Sequence, residues 1–468
     1  MRISKRLFWH GHCALLTTAL SASLFFASFS AFADYWSAAK AFRDKDYETA
    51  FSQFKELAEL GHPDSQFALS TMYYNGYGVG KNLTLAYAWI RLAADAGHAK
   101  AKELEPQVRA QIGEESAFRS RGLLEKFSAP ELSSRLLPKI IPNCDYQDIV
   151  APTWDKFVLP GYPAALQMRG IQGFVLIDLT IAPDGTVRDT NIIDAFPRGA
   201  FEEETIRAIL QSKFKPAMRN NQPVSGIFTT AVTYKLEHAD QLVGPVEEYF
   251  DKIRQDAEAG VPAAQYMHGL RLAGYPEDKK PWSEAMPWLV KAAQAGLAEA
   301  QYHVGHSLLR GRGCEADALK GQEWLLLAAQ QDYGEAQIEL ARLLLKNGPG
   351  YEPDKAIFWL ERAVNNGNLK AKKYLASLLT ASPIEQIRDA KRAEELIADV
   401  LQRYHDDVGA REILASALAV QGRFKDAIKV QSKAIKAATK LDWDTAPLQE
   451  RLAAYKAKQQ WHGDILIF

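Results

Sequence analysis

A chain of 468 residues is too long for one ordinary core, since domains usually run to about 100–200 residues, so two or three folded units are expected. Apolar residues at 47% and charged residues at 24% exclude wholesale disorder and a polytopic membrane protein. A formal charge of −1 excludes a strongly basic nucleic-acid binder.

The chain opens with Arg2, Lys5 and Arg6, followed by an uncharged stretch from Cys13 to Ala33 that closes on Ala31-Phe32-Ala33. This is the layout of a secretory signal, with cleavage expected after Ala33. The rival reading is a retained inner-membrane anchor facing the periplasm, because such a stretch could just span a bilayer. Its six Ser or Thr residues and small-residue ending favour the signal. Removal takes away three positive charges and moves the formal charge to about −4. Cys144 and Cys314 then remain, in different predicted domains, and could pair in an oxidising compartment.

Self-comparison reveals a step of 36 residues in two places. Ala50 to Ala86, Gly61 to Gly97 and His62 to His98 keep it near the N-terminus, and Ala264, Ala300 and Ala336 keep it later, with Gln265, Gln301 and Gln337 beside them. Trp288 to Trp324 follows the same step, and Trp359 and Ala371 come one residue early. Such a period indicates a solenoid, in which each unit completes its core by stacking on the next. Within a unit, Trp324 to Ala329 reads as one helix and Glu335 to Ala341 begins a second. Gly97, Gly296 and Gly367 fall where first helices should end, and Asn75 to Gly80 is a connector.

These blocks resemble the Sel-one-like branch of the tetratricopeptide superfamily over about 46–104 and 246–380. Residues 409–438, with Gly422, Phe424, Ala427 and Ile428, resemble an ordinary tetratricopeptide repeat instead. The resemblance implies protein binding.

Between the arrays the period changes to two. Val175, Ile177, Leu179 and Ile181 alternate, Pro183 to Thr186 break the run, and Val187 to Ile193 resume it, which is a hairpin signal. A helix from about Phe201 to Ser212 follows, its first turn carrying Glu202, Glu203 and Glu204, where carboxylates suit the positive end of a helix. A last strand is expected from about Val224 to Leu236. At Tyr162, Pro163, Gly170, Gly173, Asp184, Gly185, Phe214 and Pro216 this stretch resembles the C-terminal domain of TonB-family proteins. The resemblance implies that an extended segment of an outer-membrane protein adds beside the sheet, with Ile227, Thr229, Ala231 and Thr233 as the binding edge. Unlike that family, the chain has no Pro-rich spacer after its apolar segment, and the domain is central.

His303 and His306, three apart on a predicted helix, could share a face, but a metal site needs a third ligand. No nucleophile elbow, phosphate loop or zinc-protease motif appears, so no catalytic residue, metal or cofactor is assigned. Tyr87, Arg91, Lys291, Gln322 and Glu323 are expected on the outer face of the repeats. Trp461 to Phe468 is expected to cap the last repeat.

The architecture is therefore an α+β multidomain protein, mainly α-helical solenoid repeats flanking a small strand-strand-helix-strand domain. The expected divisions are a signal peptide at 1–33, repeats at 34–104, a helical linker at 105–155, the TonB-like domain at 156–238, repeats at 246–380, and tetratricopeptide-like helices with a cap at 381–468. A periplasmic interaction scaffold with envelope-protein partners follows, associated with TonB-dependent transport. A membrane-anchored energy transducer and an envelope enzyme such as a cell-wall hydrolase are the alternatives.

Overall fold

The computed structural model describes residues 35–462 apart from 60, 97, 129–130, 132–135, 237–243, 277–278 and 346–351. The signal segment and the Ile465 to Phe468 ending lie outside the described residues. In chain order the elements are α1 (Tyr35–Arg43), α2 (Tyr47–Glu59), α3 (Pro63–Asn75), α4 (Leu83–Asp95), α5 (Ala99–Arg119), α6 (Arg121–Lys126), β1 (Thr153–Lys156), α7 (Ala164–Met168), β2 (Gly173–Ile181), β3 (Val187–Phe196) and α8 (Glu202–Gln211). There follow β4 (Lys213–Lys215), β5 (Ala217–Arg219), β6 (Gln222–Val224), β7 (Gly226–Tyr234), α9 (Pro245–Glu258), α10 (Pro262–Gly274), α11 (Trp282–Gln294), α12 (Ala298–Arg310) and α13 (Ala318–Gln330). The remainder is helical: α14 (Gly334–Leu344), α15 (Pro353–Asn365), α16 (Leu369–Ala381), α17 (Ala390–Arg403), α18 (Val408–Val420), α19 (Phe424–Lys440) and α20 (Ala446–Lys456). Among the described residues no helix is long and apolar enough to cross a membrane.

The repeating glutamine explains much of the 36-residue period. A helix leaves its last carbonyls without a partner inside the helix. Gln66, Gln265, Gln301 and Gln337 each donate Nε2 to one such carbonyl of the preceding helix, at Ala58, Ala257, Ala293 and Ala329 respectively. The bonds are buried and span 2.9–3.3 Å, so each repeat is tied to the same place on its neighbour. The alanines of the period, Ala300, Ala336 and Ala371, are fully buried, where a larger side chain would push the helices apart. Gly296 and Gly367 end their helices at φ +92° and +81°, as expected.

The chain divides into two compact units. Among the described residues, one holds 35–137 with 322–362. In it α4 is buried on two sides: Trp89 and Leu92 pack with Leu69 and Phe127, while Tyr87, Ile90 and Ala93 pack with Ala101, Leu104 and Val108. Tyr87 is therefore not on an outer face, because a helix enclosed on both flanks has little surface left to expose. The expected helical linker is helical to Lys126, and Leu136 offers its carbonyl to the indole of Trp324 at 2.9 Å.

The other unit holds 138–321 and 363–462. Its three-stranded antiparallel sheet runs β3-β2-β7. Leu179, Ile177 and Val175 of β2 lie opposite Phe228, Thr230 and Val232 of β7. On that face Val175, Ile177, Leu179, Val232 and Tyr234 form a core with Phe201 and Ile209 of the α8 region and with Phe214. Short strands unforeseen in the sequence complete the domain: β1 pairs with β4, and β5 with β6 across Asn220 and Asn221, both at positive φ. The C-terminal helices end with Trp461 packed on the cluster of Ala415, Leu418, Ala427 and Tyr455, the place where a cap was expected.

Candidate peptide-binding edge

The domain's landmark residues do identifiable structural work. Tyr162 donates its hydroxyl to Ile171 O at 2.6 Å and meets Phe201 and Tyr234 edge-on. Pro163 precedes α7, Gly170 turns the chain at φ +66°, and Pro216 separates β4 from β5. At Gly173 a Cβ would lie 2.1 Å from Phe196 O, so only glycine lets these backbones meet. Asp184 accepts from the Thr186 amide at 2.9 Å and from the Arg188 guanidinium at 2.6 Å, closing the β2–β3 turn around Gly185 at φ +79°. The Arg188 guanidinium and the Thr186 hydrogen bonds hold the Asp184 carboxyl below its ordinary value, against burial, which alone would raise it.

Ile227, Thr229, Ala231 and Thr233 all lie on β7, the last strand in the sheet order. Tyr146 donates its hydroxyl to Ile227 O at 3.2 Å, which turns that carbonyl away from β2. In an antiparallel strand alternate residues direct their backbone groups to the same side, so Thr229, Ala231 and Thr233 share the outward direction. The edge is not bare at its beginning, where Tyr146 stands.

The family described as Gram-negative bacterial TonB protein C-terminal matches residues 158–236, and the Sel1 repeat matches 63–98, 298–333 and 334–368. The chain carries a TonB C-terminal domain and three Sel1 repeats. Protein TonB of Pseudomonas aeruginosa is 31% identical over 78 residues, which is 17% of this chain and 23% of that protein; the chain thus spans about a quarter of the length of this relative. Two solved structures align broadly at low identity. A protective antigen of uropathogenic Escherichia coli with an SLR fold is 15% identical, covering 91% of this chain and 72% of that one at a TM-score of 0.36. A Sel1 repeat protein from Oxalobacter formigenes is 16% identical, covering 90% and 87%, also at 0.36.

The TonB-like sheet has a second packed face that sequence reading missed. Phe174, Leu176 and Asp178 point there, with Thr229 and Ala231 beside them. Phe174 lies 4.9 Å from the ring of Phe250, Tyr249 stacks on Phe196 at 4.8 Å, and Tyr249 donates to Asp194 at 2.7 Å. Gly274, at the end of α10, comes so close that a Cβ would meet Leu176 Cδ1 at 2.9 Å and Thr229 Cγ2 at 3.0 Å. Helices α9 and α10 thus cover this face.

Polar groups on that face are joined in a buried chain. Arg312 Nη2 donates to Thr229 Oγ1 at 3.0 Å, and the Thr229 hydroxyl donates to Asp178 Oδ1. His303 Nε2 lies 3.6 Å from Asp178 Oδ2, and the Arg312 guanidinium lies over Trp282, 3.3 Å from its ring centre. His303 and His306 are both buried, and among the described residues no three His, Cys, Asp or Glu side chains gather closely enough to hold a metal.

Burial lowers His303 to about 4, with Asp178 pulling it up and Arg312 pushing it down. The folded value lies below the ordinary 6.5 of an exposed imidazole, so between those values the unfolded chain binds more protons. The stabilisation is complete above pH 6.5 and is lost as pH falls toward 4, at most on the order of 3 kcal/mol. His303→Gln is expected to flatten this acid slope for β2 and β7, measured by hydrogen exchange corrected for intrinsic rates. An unchanged slope would place the acid sensitivity elsewhere.

Proposed function

We propose that the chain is an exported periplasmic scaffold. In this reading its repeats hold a TonB-like sheet whose β7 edge receives an extended segment of another envelope protein, in the service of TonB-dependent transport. The observation that carries it is the position of β7 at the end of the sheet, with the Ile227 carbonyl directed outward to a side chain and not to a strand. Strand addition draws its affinity from such backbone groups, and side-chain pockets select the sequence. The matched TonB C-terminal and Sel1 families are non-enzymatic interaction modules, which supports a scaffold over a hydrolase. Export is supported by the charge-poor segment ending at Ala33; finding Met1 on protein recovered from the periplasm would count against it.

The test is hydrogen exchange on the full chain with and without receptor-derived extended peptides. Added protection at Thr229, Ala231 and Thr233 is expected. Ala231→Pro should abolish it while leaving circular dichroism unchanged, because the lost amide faces away from β2. Strong protection of the Thr229, Ala231 and Thr233 amides without any peptide, unaltered by peptides, would sink the edge-binding reading.

A further inference from the structure

Residues 136–152 contain no helix, yet they are held in place. Lys139 O accepts from the Glu315 amide at 2.8 Å, Ile141 N–H donates to Gly313 O at 3.3 Å, and Gly313 N–H donates to Asp145 O at 3.0 Å. Gln147 N–H continues the ladder to Gly311 O at 2.9 Å. Ile140 thereby pairs antiparallel with Cys314, and Tyr146 with Arg312. The segment 311–315 is itself bent, with Gly311 and Gly313 at φ +64° and +71°. On the other side the chain between Ile141 and Asp145 buckles outward, with Asn143 at φ +55°.

Cys144 sits in that buckle, next to Asp145, whose carbonyl binds the residue immediately before Cys314. Both backbone groups of Cys144 are fastened to one residue: its amide donates to Ser283 Oγ at 3.3 Å and its carbonyl accepts from Ser283 N–H at 3.2 Å. The other segment converges on the same place, because a Cβ on Gly313 would lie 2.8 Å from Ser283 N and Arg312 stacks on Trp282. Cys144 and Cys314 are each fully buried beside the start of α11. Each cysteine is thus the chain neighbour of one end of the Asp145–Gly313 hydrogen bond, and a bridge between them requires about 4.4–6.8 Å between Cα atoms.

We propose that Cys144 and Cys314, carried as thiols in the structure, are joined in the mature protein by a disulfide that staples the 139–147 segment to 311–315. The reaction is thiol–disulfide exchange with a disulfide-bearing oxidant, either a small molecule or a protein. One thiolate attacks the oxidant and releases one thiol, and the second thiolate then displaces the other, so two electrons and two protons leave with the oxidant's sulfurs. Burial pushes the Cys314 thiol up to about 12, so in the folded chain it is a poor nucleophile. The bridge therefore closes while the chain folds, and burial afterwards shields it from reductants. The segment it fixes carries Tyr146, which stands on the β7 edge.

The test does not depend on where the chain resides. Full-length protein is unfolded, fully reduced, and refolded in a glutathione redox buffer, then alkylated under denaturing conditions and digested with trypsin without reduction. Mass spectrometry is expected to find the peptide 140–156 joined to 313–320 as the dominant cysteine species, even though Cys13 competes. Alkylated Cys144 and Cys314, or pairing of either with Cys13, would overturn the proposal. The bridged wild type should also melt several degrees above the same chain refolded in excess reductant, a comparison that needs no substitution. Equal melting of the two forms would overturn the stapling role.

Discussion

Gly185→Val is expected to unfold the TonB-like sheet. A Cβ at Gly185 would lie 2.1 Å from Phe214 O, and the Phe214 amide is bonded to Gly185 O at 2.9 Å, so the two backbones cannot separate without losing that bond. The φ of +79° adds strain that a β-branched residue tolerates worst. A loss on the order of 4 kcal/mol or more is expected, the range in which a named steric cause is required. Gly199 supplies the comparison: at φ +76° it has no atom within 4 Å of the place a Cβ would take, and Gly199→Ala should cost only about 1–2 kcal/mol. Hydrogen exchange of 174–181 and 226–234 reads both variants. It must be read on the full chain, since an excised sheet would expose Phe174 and Leu176. Native-like protection in Gly185→Val would refute the assigned contact with Phe214.

Arg312→Met is the second large effect expected. Arg312 is 2% exposed, and its loss leaves the Thr229–Asp178 pair with a buried carboxylate and without the guanidinium that offsets its charge. Removing one partner of a buried charged network typically costs about 3–5 kcal/mol. Replacing the carboxylate as well, in Asp178→Leu with Arg312→Met, should recover part of that loss, because no charge is then stranded. Denaturant titration followed by exchange at β2 and β7 measures Arg312→Met, Asp178→Leu and the double variant. A double variant worse than the sum of the singles would show that the network contributes shape and not charge compensation.

The repeats were legible because their period is built from residues with one task each. The glutamines at 265, 301 and 337 all reach back to a helix end, and alanines stand where helices touch. The Asp184-Gly185 turn was legible for the same reason. The central strand was harder. Its sequence Gly-Phe-Val-Leu-Ile-Asp-Leu-Thr-Ile is apolar at one parity and begins apolar at the other, with Phe174 and Leu176, which signals a strand buried on both faces. Reading only Val175, Ile177, Leu179 and Ile181 found one core and overlooked Phe174, Leu176 and the helices that cover them. The segment 139–147 has no period at all, and its partners lie about 170 residues away, so nothing local announces Tyr146 as the residue on the β7 edge.

Among the described residues, one unit is assembled from two stretches far apart in the chain, 35–137 and 322–362. A ribosome or an export channel delivers the chain from its N-terminus. The first repeats therefore emerge long before Trp324, whose indole closes on Leu136. Loop closure over such a distance is entropically costly and slow relative to helix formation. During that interval the Leu136 carbonyl lacks the indole that meets it in the folded unit. The assembly order is thus written into the topology: the whole middle of the protein must arrive before its beginning can finish folding.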